Sequence, residues 1–408
     1  MPAGGDQNWT EAAPDAVAPP PHHPRFPLFD GMRAIAVFAV LVLHVGVFGQ
    51  VGDSIAGKLV LHLNIGVTIF FLISGFLLYR PFIADRAGGA AAPAIGDYAK
   101  RRLLRILPAY WLVLAVLIVI PGLTGVPGSG AVQQFALLHT LPIGGGPDCV
   151  EAVADCGLAQ TWSLVVEFTF YAVLPFYALL AATMVRGRST ARWLGTELIL
   201  LAVLSLASVL LHFVITDNAG SAGVVGGTLL GYWLWFALGM GLALVSVALG
   251  DRRPPFIAAV AAHPVPFWAL AVALYVVTAL ALPATPYLID AGDQLVAHLS
   301  FALVALLLMI PAVFADDAGG APRRFLQQPL VAWLGLISYG IFLWHYAVAL
   351  RLGVPGEHWS FLPLLLATVA ITVPIAAASY YLLERPLLRF KYRRIRRPGD
   401  DQRRAVAR

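Results

Sequence analysis

Apolar runs long enough to cross a lipid bilayer recur along almost the whole chain, and this feature constrains the fold most strongly. Each run is close to the 20 residues that a helix needs to span the hydrocarbon core. Hydrophobic residues fill 59% of the 408 positions and charged residues only 12%, about half the charged share of a soluble domain. A transmembrane barrel would instead show short alternating segments. The sequence therefore predicts an all-α integral membrane protein with its helices in one bundle.

We predict ten transmembrane helices from the apolar runs and the charges between them. They cover about residues 33–50, 60–80, 106–121, 161–184, 195–215, 226–249, 264–282, 294–314, 329–352 and 361–384. With the N-terminus inside, 25 of the 27 Lys and Arg residues fall at the cytoplasmic side, and only Lys58 and Arg351 do not. This bias predicts a multi-pass plasma-membrane protein with both termini cytoplasmic. The net charge of +5 then reflects topology and gives no reason to expect nucleic acid.

The chain divides into three predicted regions. Residues 1–27 read as a disordered cytoplasmic tail, 28–390 as the ten-helix domain, and 391–408 as a basic cytoplasmic tail that is either solvated or in contact with anionic lipid. Cys149 and Cys156 fall in the long outer loop at about 122–160. On that oxidising side they either form a disulfide or remain unpaired thiols. Two cysteines without partner histidines do not suggest zinc, so we expect no metal.

Two ionisable residues inside predicted spans are candidates for catalysis, because such groups are costly in a membrane. Helix rise places His44, in the first span, and Glu167, in the fourth, roughly 9 to 12 Å from the outer ends of their helices. A carboxylate beside an imidazole orients the ring and stabilises its protonated form. Both residues are therefore candidates for catalysis, which the residues alone leave open. The alternative is that each satisfies a separate partner in the bundle.

Other ionisable residues have weaker patterns. Arg33 precedes His44 by eleven residues, which places both on one helix face about 16 Å apart, with Arg33 at the cytoplasmic mouth. We expect Glu384 to pair with an inner-face arginine such as Arg33. His212 and His298 match no motif, and we expect both to be satisfied residues of the bundle.

Six segments, in order along the chain, then suggest a known family. They are FDGMRAIAV (29–37) followed by His44, GVTIFFLISGF (66–76), KRRLLRILPAY (100–110), WSLVVEFTFY (162–171), SYGIFLWH (338–345) and ERP (384–386). Together they resemble the motifs of the membrane acyltransferase 3 family, over almost the whole chain. Any one motif is weak, but six in the family's order are specific.

The resemblance implies an acyl-CoA-dependent O-acyltransferase. In such proteins an acyl group, often acetyl, passes from cytoplasmic acyl-CoA to a hydroxyl of a cell-envelope carbohydrate, peptidoglycan, a glycolipid or a secondary metabolite such as a macrolide. Some members carry an extracytoplasmic SGNH-type domain after the tenth helix. We expect this chain to be a stand-alone form without it, so that transfer is completed within the helices or by a separate partner.

The resemblance also suggests roles for single residues. Arg33, Arg102 and Arg105 would bind the phosphates of acyl-CoA, because the guanidinium fork binds phosphate bidentately. The alternative for the basic loop is topology alone. His44 would be the general base or would carry the acyl group transiently. Glu167, as the second catalytic residue, would orient or charge-balance His44 or would bind the acceptor sugar. Residues expected at the acceptor are Trp162, Ser163, Tyr171 and His345. We expect Ser74, beside a glycine, to serve helix packing.

Two other classes of function remain open. A proton-coupled transporter or a flippase of an envelope precursor would also combine ten spans with a few buried charges. Such carriers usually have broken helices in paired halves, and the sequence predicts none. A structural partner in an envelope-assembly complex is the second alternative. The expected partners are acyl-CoA, a hydroxylated acceptor and membrane lipid. The oligomeric state is left open, with a homo-oligomer among the options.

Overall fold

The structure is a computed structural model that describes residues 26, 28–87, 91–119, 128–139, 158–187, 189–217, 228–285, 290–314, 320–353 and 359–390. Most of the two predicted tails, Cys149 and Cys156 lie outside these residues. Within them the chain is helical and contains no strand. The helices are α1 Leu28–Phe48, α2 Ile55–Leu61, α3 Ile65–Ile83, α4 Ile95–Val119, α5 Gly128–Phe135, α6 Trp162–Val185, α7 Thr190–Asp217, α8 Leu229–Leu249, α9 Pro255–Ala262, α10 Val265–Ala281, α11 Ala291–Phe314, α12 Gly320–Leu326, α13 Pro329–Leu336, α14 Ser338–Gly353, α15 Phe361–Ser379 and α16 Arg385–Phe390. The all-α prediction is confirmed.

Eight helical segments among the described residues are long and apolar enough to cross a membrane, and two bent pairs bring the number to ten. The eight are Leu28–Phe48, Ile55–Ile83, Ile95–Val119, Ala159–Val185, Thr190–Phe213, Leu229–Leu249, Ala291–Phe314 and Phe361–Leu388. Each predicted span coincides with one of these segments or with part of a bent pair. The chain is thus a multi-pass helical membrane protein.

The expectation of unbroken helices is wrong at two places. Helices α9 and α10 meet at 83°, and α13 and α14 meet at 71° within the predicted span 329–352. The first bend falls at Pro264, where proline disfavours a helical conformation of the preceding residue. At the second, Gly335 of α13 lies against the backbone of Asp30, where a Cβ atom would overlap it. Helix α14 therefore begins inside the bundle, at Ser338.

Helices α3 and α8 pack closely at the centre of the bundle. Gly75 lies against the backbone oxygen of Phe236, and Gly239 against that of Leu72, so a Cβ at either glycine would overlap the opposite helix. Phe236 also stacks between Phe71 and Phe170, with ring centroids 4.4 and 4.1 Å away. Small residues permit such close approach in membranes, where water provides no drive for helix association.

Two buried carboxylates are held by neighbouring helices. Glu197 of α7 is fully buried, forms an ion pair with Arg86 and accepts hydrogen bonds from Tyr79 at 2.6 Å and Trp193 at 2.9 Å. A π-helical turn, Tyr380–Glu384, interrupts the last span. It brings Glu384 within 3.9 Å of Arg105 on α4. The expected partner Arg33 is instead paired with Asp30 at 3.0 Å, three residues earlier on its own helix.

Candidate active site

A cavity of about 260 Å³ lies between helices α1, α3, α4, α6 and α14. Its α3 wall extends from Val67 to Leu78, with lining residues at helical spacing. Eleven residues of helix correspond to about 16 Å, so the cavity is elongated along the bundle. The other lining residues are Arg33, Arg102, Arg105, Ile106, Ser163, Leu164, Glu167, Tyr171, Ser338, Tyr339 and Phe342.

The two ends of the cavity, which can be followed along helix α6, are lined by different residues. Ser163 lies at the start of this helix and Tyr171 two turns later, roughly 12 Å away by the helix rise. Arg102 packs against Tyr171, so we call the part lined by Arg102, Arg105 and Tyr171 the arginine end. The part lined by Val67, Ser163 and Phe342 is the opposite end. All three arginines predicted to bind the donor line this one cavity.

The three arginines differ in their partners. Arg33 pairs with Asp30, and Arg105 lies 3.9 Å from Glu384 and over the ring of Tyr339 at 5.9 Å. Each of these two arginines therefore has a carboxylate nearby, which weakens the positive potential that its guanidinium presents to a ligand. Tyr339, which the sequence singled out only as part of a motif, donates a hydrogen bond to Ile106 O at 2.9 Å and so fixes α14 against α4.

Arg102 is held by aromatic rings. Its guanidinium lies 5.9 Å from the centroid of Tyr98 and 5.8 Å from that of Tyr171. Among the described residues it forms no ion pair, and its buried Nε atom has no hydrogen-bond partner. Cation–π contacts orient a guanidinium without cancelling its charge. Arg102 therefore offers a pre-oriented positive charge to the cavity.

Glu167 forms a polar cluster within the cavity. Its Oε1 atom accepts hydrogen bonds from the hydroxyl of Ser74 and from that of Tyr171, the latter at 2.8 Å. Besides the packing role expected for it, Ser74 therefore lines the cavity and forms a hydrogen bond with Glu167. The cluster ties α3 to α6 and holds the carboxylate in place.

The predicted depth match between His44 and Glu167 is wrong. Ser74, the partner of Glu167, is two residues from Phe76, whose ring contacts Phe29 near the start of α1 at 5.3 Å. His44 lies fifteen residues beyond Phe29, so roughly 15 to 20 Å separate it from Glu167 along the bundle. Within the described part of the chain, no hydrogen bond joins the two side chains.

The start of α6 explains this error. The sequence placed the beginning of the fourth span at the membrane surface, whereas Gln160 and Thr161, directly before α6, are almost completely buried. The amide of Gln160 donates to Leu343 O at 3.2 Å, one turn into α14. Because α6 begins inside the bundle, Glu167 lies deeper than its distance from the start of the helix suggested. Sequence reasoning also missed Gln160 itself, whose buried Oε1 atom has no hydrogen-bond partner among the described residues.

His345 occupies the position beside His44 that Glu167 was expected to take. His345 Nε2 lies 3.1 Å from His44 Nδ1, and the two ring centroids are 5.1 Å apart. His345 is fully buried, and the ring of Tyr346 packs edge-on against His44. Phe342, which lines the cavity, lies one turn before His345 with its ring centroid 6.1 Å away. Neither histidine lines the cavity itself, and Phe342 is the residue that links the end opposite Arg102 to the histidine pair.

The remaining predicted site residues are divided between the cavity and the bundle. Ser163 lines the cavity and donates to Gln160 O at 3.1 Å. Trp162, expected at the acceptor, instead packs against Tyr232 of α8 at 5.1 Å. His212 and His298 stack on each other at 4.8 Å in a separate aromatic cluster, and neither lines the cavity.

Comparison with known proteins identifies the family. The acyltransferase domain that defines the acyltransferase 3 family matches residues 27–383. The chain belongs to the acyltransferase 3 family. The resemblance of its six motifs is thereby confirmed, and the transporter alternative is not favoured. All of the cavity-lining residues of this acyltransferase 3 protein lie within the matched region.

Several curated bacterial proteins are similar to this acyltransferase 3 chain. Bacillus subtilis YrhL, provisionally named a peptidoglycan O-acetyltransferase, is 24% identical over 381 residues, which cover 90% of this chain and 55% of YrhL. The O-acetyltransferase OatA of Staphylococcus aureus is 23% identical over 386 residues, 90% of this chain and 58% of OatA. The peptidoglycan O-acetyltransferase OatA of Listeria monocytogenes is 24% identical, with 88% and 55% covered. The chain thus spans little more than half the length of these relatives. No solved structure matches it.

Proposed function

We propose that the protein is a membrane O-acyltransferase that moves an acyl group, acetyl by preference, from acyl-CoA to a hydroxyl group. One observation carries this proposal: a single elongated cavity has Arg33, Arg102 and Arg105 in its wall and approaches the His44–His345 pair at its other end. Polyanion binding and general-base chemistry are the two functions that acyl transfer from CoA requires. The cavity wall contains side chains suited to the first function, and Phe342 in the same wall packs against the histidine pair suited to the second.

The donor would enter at the arginine end. Arg102 supplies a charge with no acid partner among the described residues, and Arg105 and Arg33 add donors in the wall of the same cavity. Helix α14 begins at Ser338 in the cavity wall, and the amino end of a helix favours anions. The positive-inside bias of the sequence supports a cytoplasmic position for this end, and acyl-CoA is made in the cytoplasm.

The donor's arm would then lie along the apolar α3 wall toward the histidines. Glu167, held by Ser74 and Tyr171, sits beside this path and would accept a hydrogen bond from an amide of the arm. This gives Glu167 a donor-binding role in place of a direct role beside His44. The thioester carbon would reach His44, which would remove the proton of the acceptor hydroxyl as general base.

The acceptor would be a carbohydrate hydroxyl of the cell envelope. Two of the relatives named above carry peptidoglycan in their names. Ser163 lines the end of the cavity opposite Arg102 and donates a hydrogen bond to the backbone of Gln160. The buried Oε1 atom of Gln160, which has no partner among the described residues, would accept a hydrogen bond from a sugar hydroxyl. We infer that the sugar approaches from the outer side.

The test measures free CoA released from acetyl-CoA by the full chain in lipid nanodiscs, with soluble cell-wall glycan as acceptor. We expect His44→Gln to lower the rate at least 100-fold, because positioned general bases contribute roughly 10²- to 10⁴-fold. His298→Gln, a change at a buried histidine away from the cavity, should leave the rate within about twofold. Equal rates in wild type and His44→Gln would contradict the proposal.

A further inference from the structure

We infer that His345 is a positioning residue that acts with the carbonyl of Val40 to hold the hydrogen of His44 on Nδ1, so that the Nε2 atom of His44 is the basic nitrogen. The inference rests on the proposed function, which makes His44 the general base. It assigns His345 a role inside the bundle, beside the base, in place of the acceptor contact expected from the sequence.

Two backbone carbonyls determine where the hydrogens are. His44 Nδ1 lies 2.8 Å from Val40 O, and His345 Nδ1 lies 3.0 Å from Ile341 O. Each carbonyl belongs to the residue four positions earlier in the same helix. A carbonyl oxygen only accepts hydrogen bonds, so each Nδ1 atom must carry a hydrogen. A neutral imidazole has one N–H group, which leaves a lone pair on both Nε2 atoms.

The contact between the rings then has one direction. His345 Nε2 lies 3.1 Å from His44 Nδ1, and its lone pair accepts a share of the hydrogen that His44 also donates to Val40 O. The reverse direction would require a hydrogen on His345 Nε2 and would leave Ile341 O facing a lone pair. Within the described residues no hydrogen bond engages His44 Nε2. That atom is therefore free to meet a substrate.

The same arrangement stabilises the charge that forms during transfer. The acceptor O–H bond breaks and its proton moves to His44 Nε2, while the oxygen bonds to the thioester carbon. The C–S bond then breaks, and the CoA thiolate takes the proton from His44. While His44 is an imidazolium, its Nδ1–H points at two acceptors, Val40 O and His345 Nε2. A charged donor strengthens both hydrogen bonds, which favours the transition state over the resting state.

The second ring nitrogen of His345, Nε2, is not used by the hydrogen bond within its own helix and instead contacts His44. His345 is fully buried, so an unpaired Nε2 would carry a desolvation cost. The contact with His44 removes this cost. Tyr346 packs edge-on against His44 with ring centroids 5.1 Å apart, which restricts rotation of the ring.

The direct test is nitrogen NMR of the full chain in lipid, labelled with ¹⁵N at histidine and assigned with His44→Gln and His345→Gln. We expect His44 to be neutral at neutral pH, with hydrogen on Nδ1 and a bare Nε2, and His345 likewise. The ¹⁵N chemical shift of His44 Nδ1 should change in the His345→Phe variant, which lacks the acceptor nitrogen. A hydrogen on His44 Nε2 in the wild-type protein would overturn the inference. This measurement needs no activity, so it decides the tautomer even if wild type releases no CoA and the proposed function fails.

Kinetics give the second readout. His345→Phe keeps a ring but removes both nitrogens, and we expect kcat to fall about 100-fold or more while KM for acetyl-CoA stays within about twofold. His345→Gln places an amide oxygen near the position of Nε2, so its kcat should be at least tenfold higher than that of His345→Phe. His298→Phe, at a second buried histidine pair, should retain wild-type kcat. Wild-type kcat in His345→Phe, or an equal loss in folded Gln and Phe variants, would contradict the assignment.

Discussion

Among the cationic residues of the cavity wall, Arg102 is held only by aromatic rings. We predict that Arg102→Gln raises KM for acyl-CoA about 10- to 100-fold, because a hydrogen bond to a charged group contributes about 1.5–3 kcal/mol. Arg102→Lys should recover little, since an ammonium group provides neither the planar fork nor the stacking on Tyr98 and Tyr171. Initial rates at varied acetyl-CoA concentration measure both effects.

Arg101→Gln is the matched control for Arg102. It removes the same charge from the same helical turn, but Arg101 does not line the cavity. Its KM should therefore remain within about twofold of wild type. Equal increases of KM in both variants would mean that the basic loop attracts the donor only through its total charge.

Residue patterns identified candidate residues, but they did not identify the partners of those residues. His44, Arg33, Arg102 and Arg105 follow from motifs and from the cost of charge in a membrane. The pairing of His44 with His345 does not, because 301 positions separate them and only the packing of α1 on α14 brings them together. The sequence suggested Glu167 as the partner of His44 because both were expected at similar depth, and that expectation assumed that α6 begins at the membrane surface.

At the scale of elements, the close packing of α3 on α8 predicts opposite effects of one substitution at two glycines. Gly239→Ala would push a Cβ atom into the backbone of Leu72 and should destabilise the protein by about 1–3 kcal/mol. At Gly195 on α7 nothing lies within 4 Å of an added Cβ, so Gly195→Ala should be neutral or stabilise by up to about 1 kcal/mol. Thermal unfolding in detergent measures both; a lower Tm for Gly195→Ala than for Gly239→Ala would contradict this packing.

The positions of the spans could be read from hydropathy, but their bends could not. The chain around the 71° bend between α13 and α14 is apolar on both sides, so an averaged profile shows one continuous span. The bend depends on the close contact of Gly335 with the backbone of α1, which is a tertiary feature. For the same reason, the buried start of α6 and the π-helical turn at Tyr380–Glu384 give no signal in the sequence.

At the scale of the whole molecule, these features lie along the proposed path, which leads from the cavity past Phe342 to the histidine pair. The cationic side chains come from α1 and α4, the polar cluster of Glu167 joins α3 to α6, and the histidine pair joins α1 to α14. Composition and charge bias predicted a helical membrane domain with a basic side, which set the direction of the path. Its continuity depends on five helices meeting around one cavity, and no segment of the sequence contains that information.

The most direct test of this path is a cryo-EM structure of the full chain in nanodiscs with an unreactive thioether analogue of acetyl-CoA. We expect the phosphates to contact Arg102, the arm to follow the α3 wall past Glu167, and the acyl carbon to lie near His44 Nε2. An analogue bound outside the cavity, or with its acyl group at the arginine end, would contradict the proposed route.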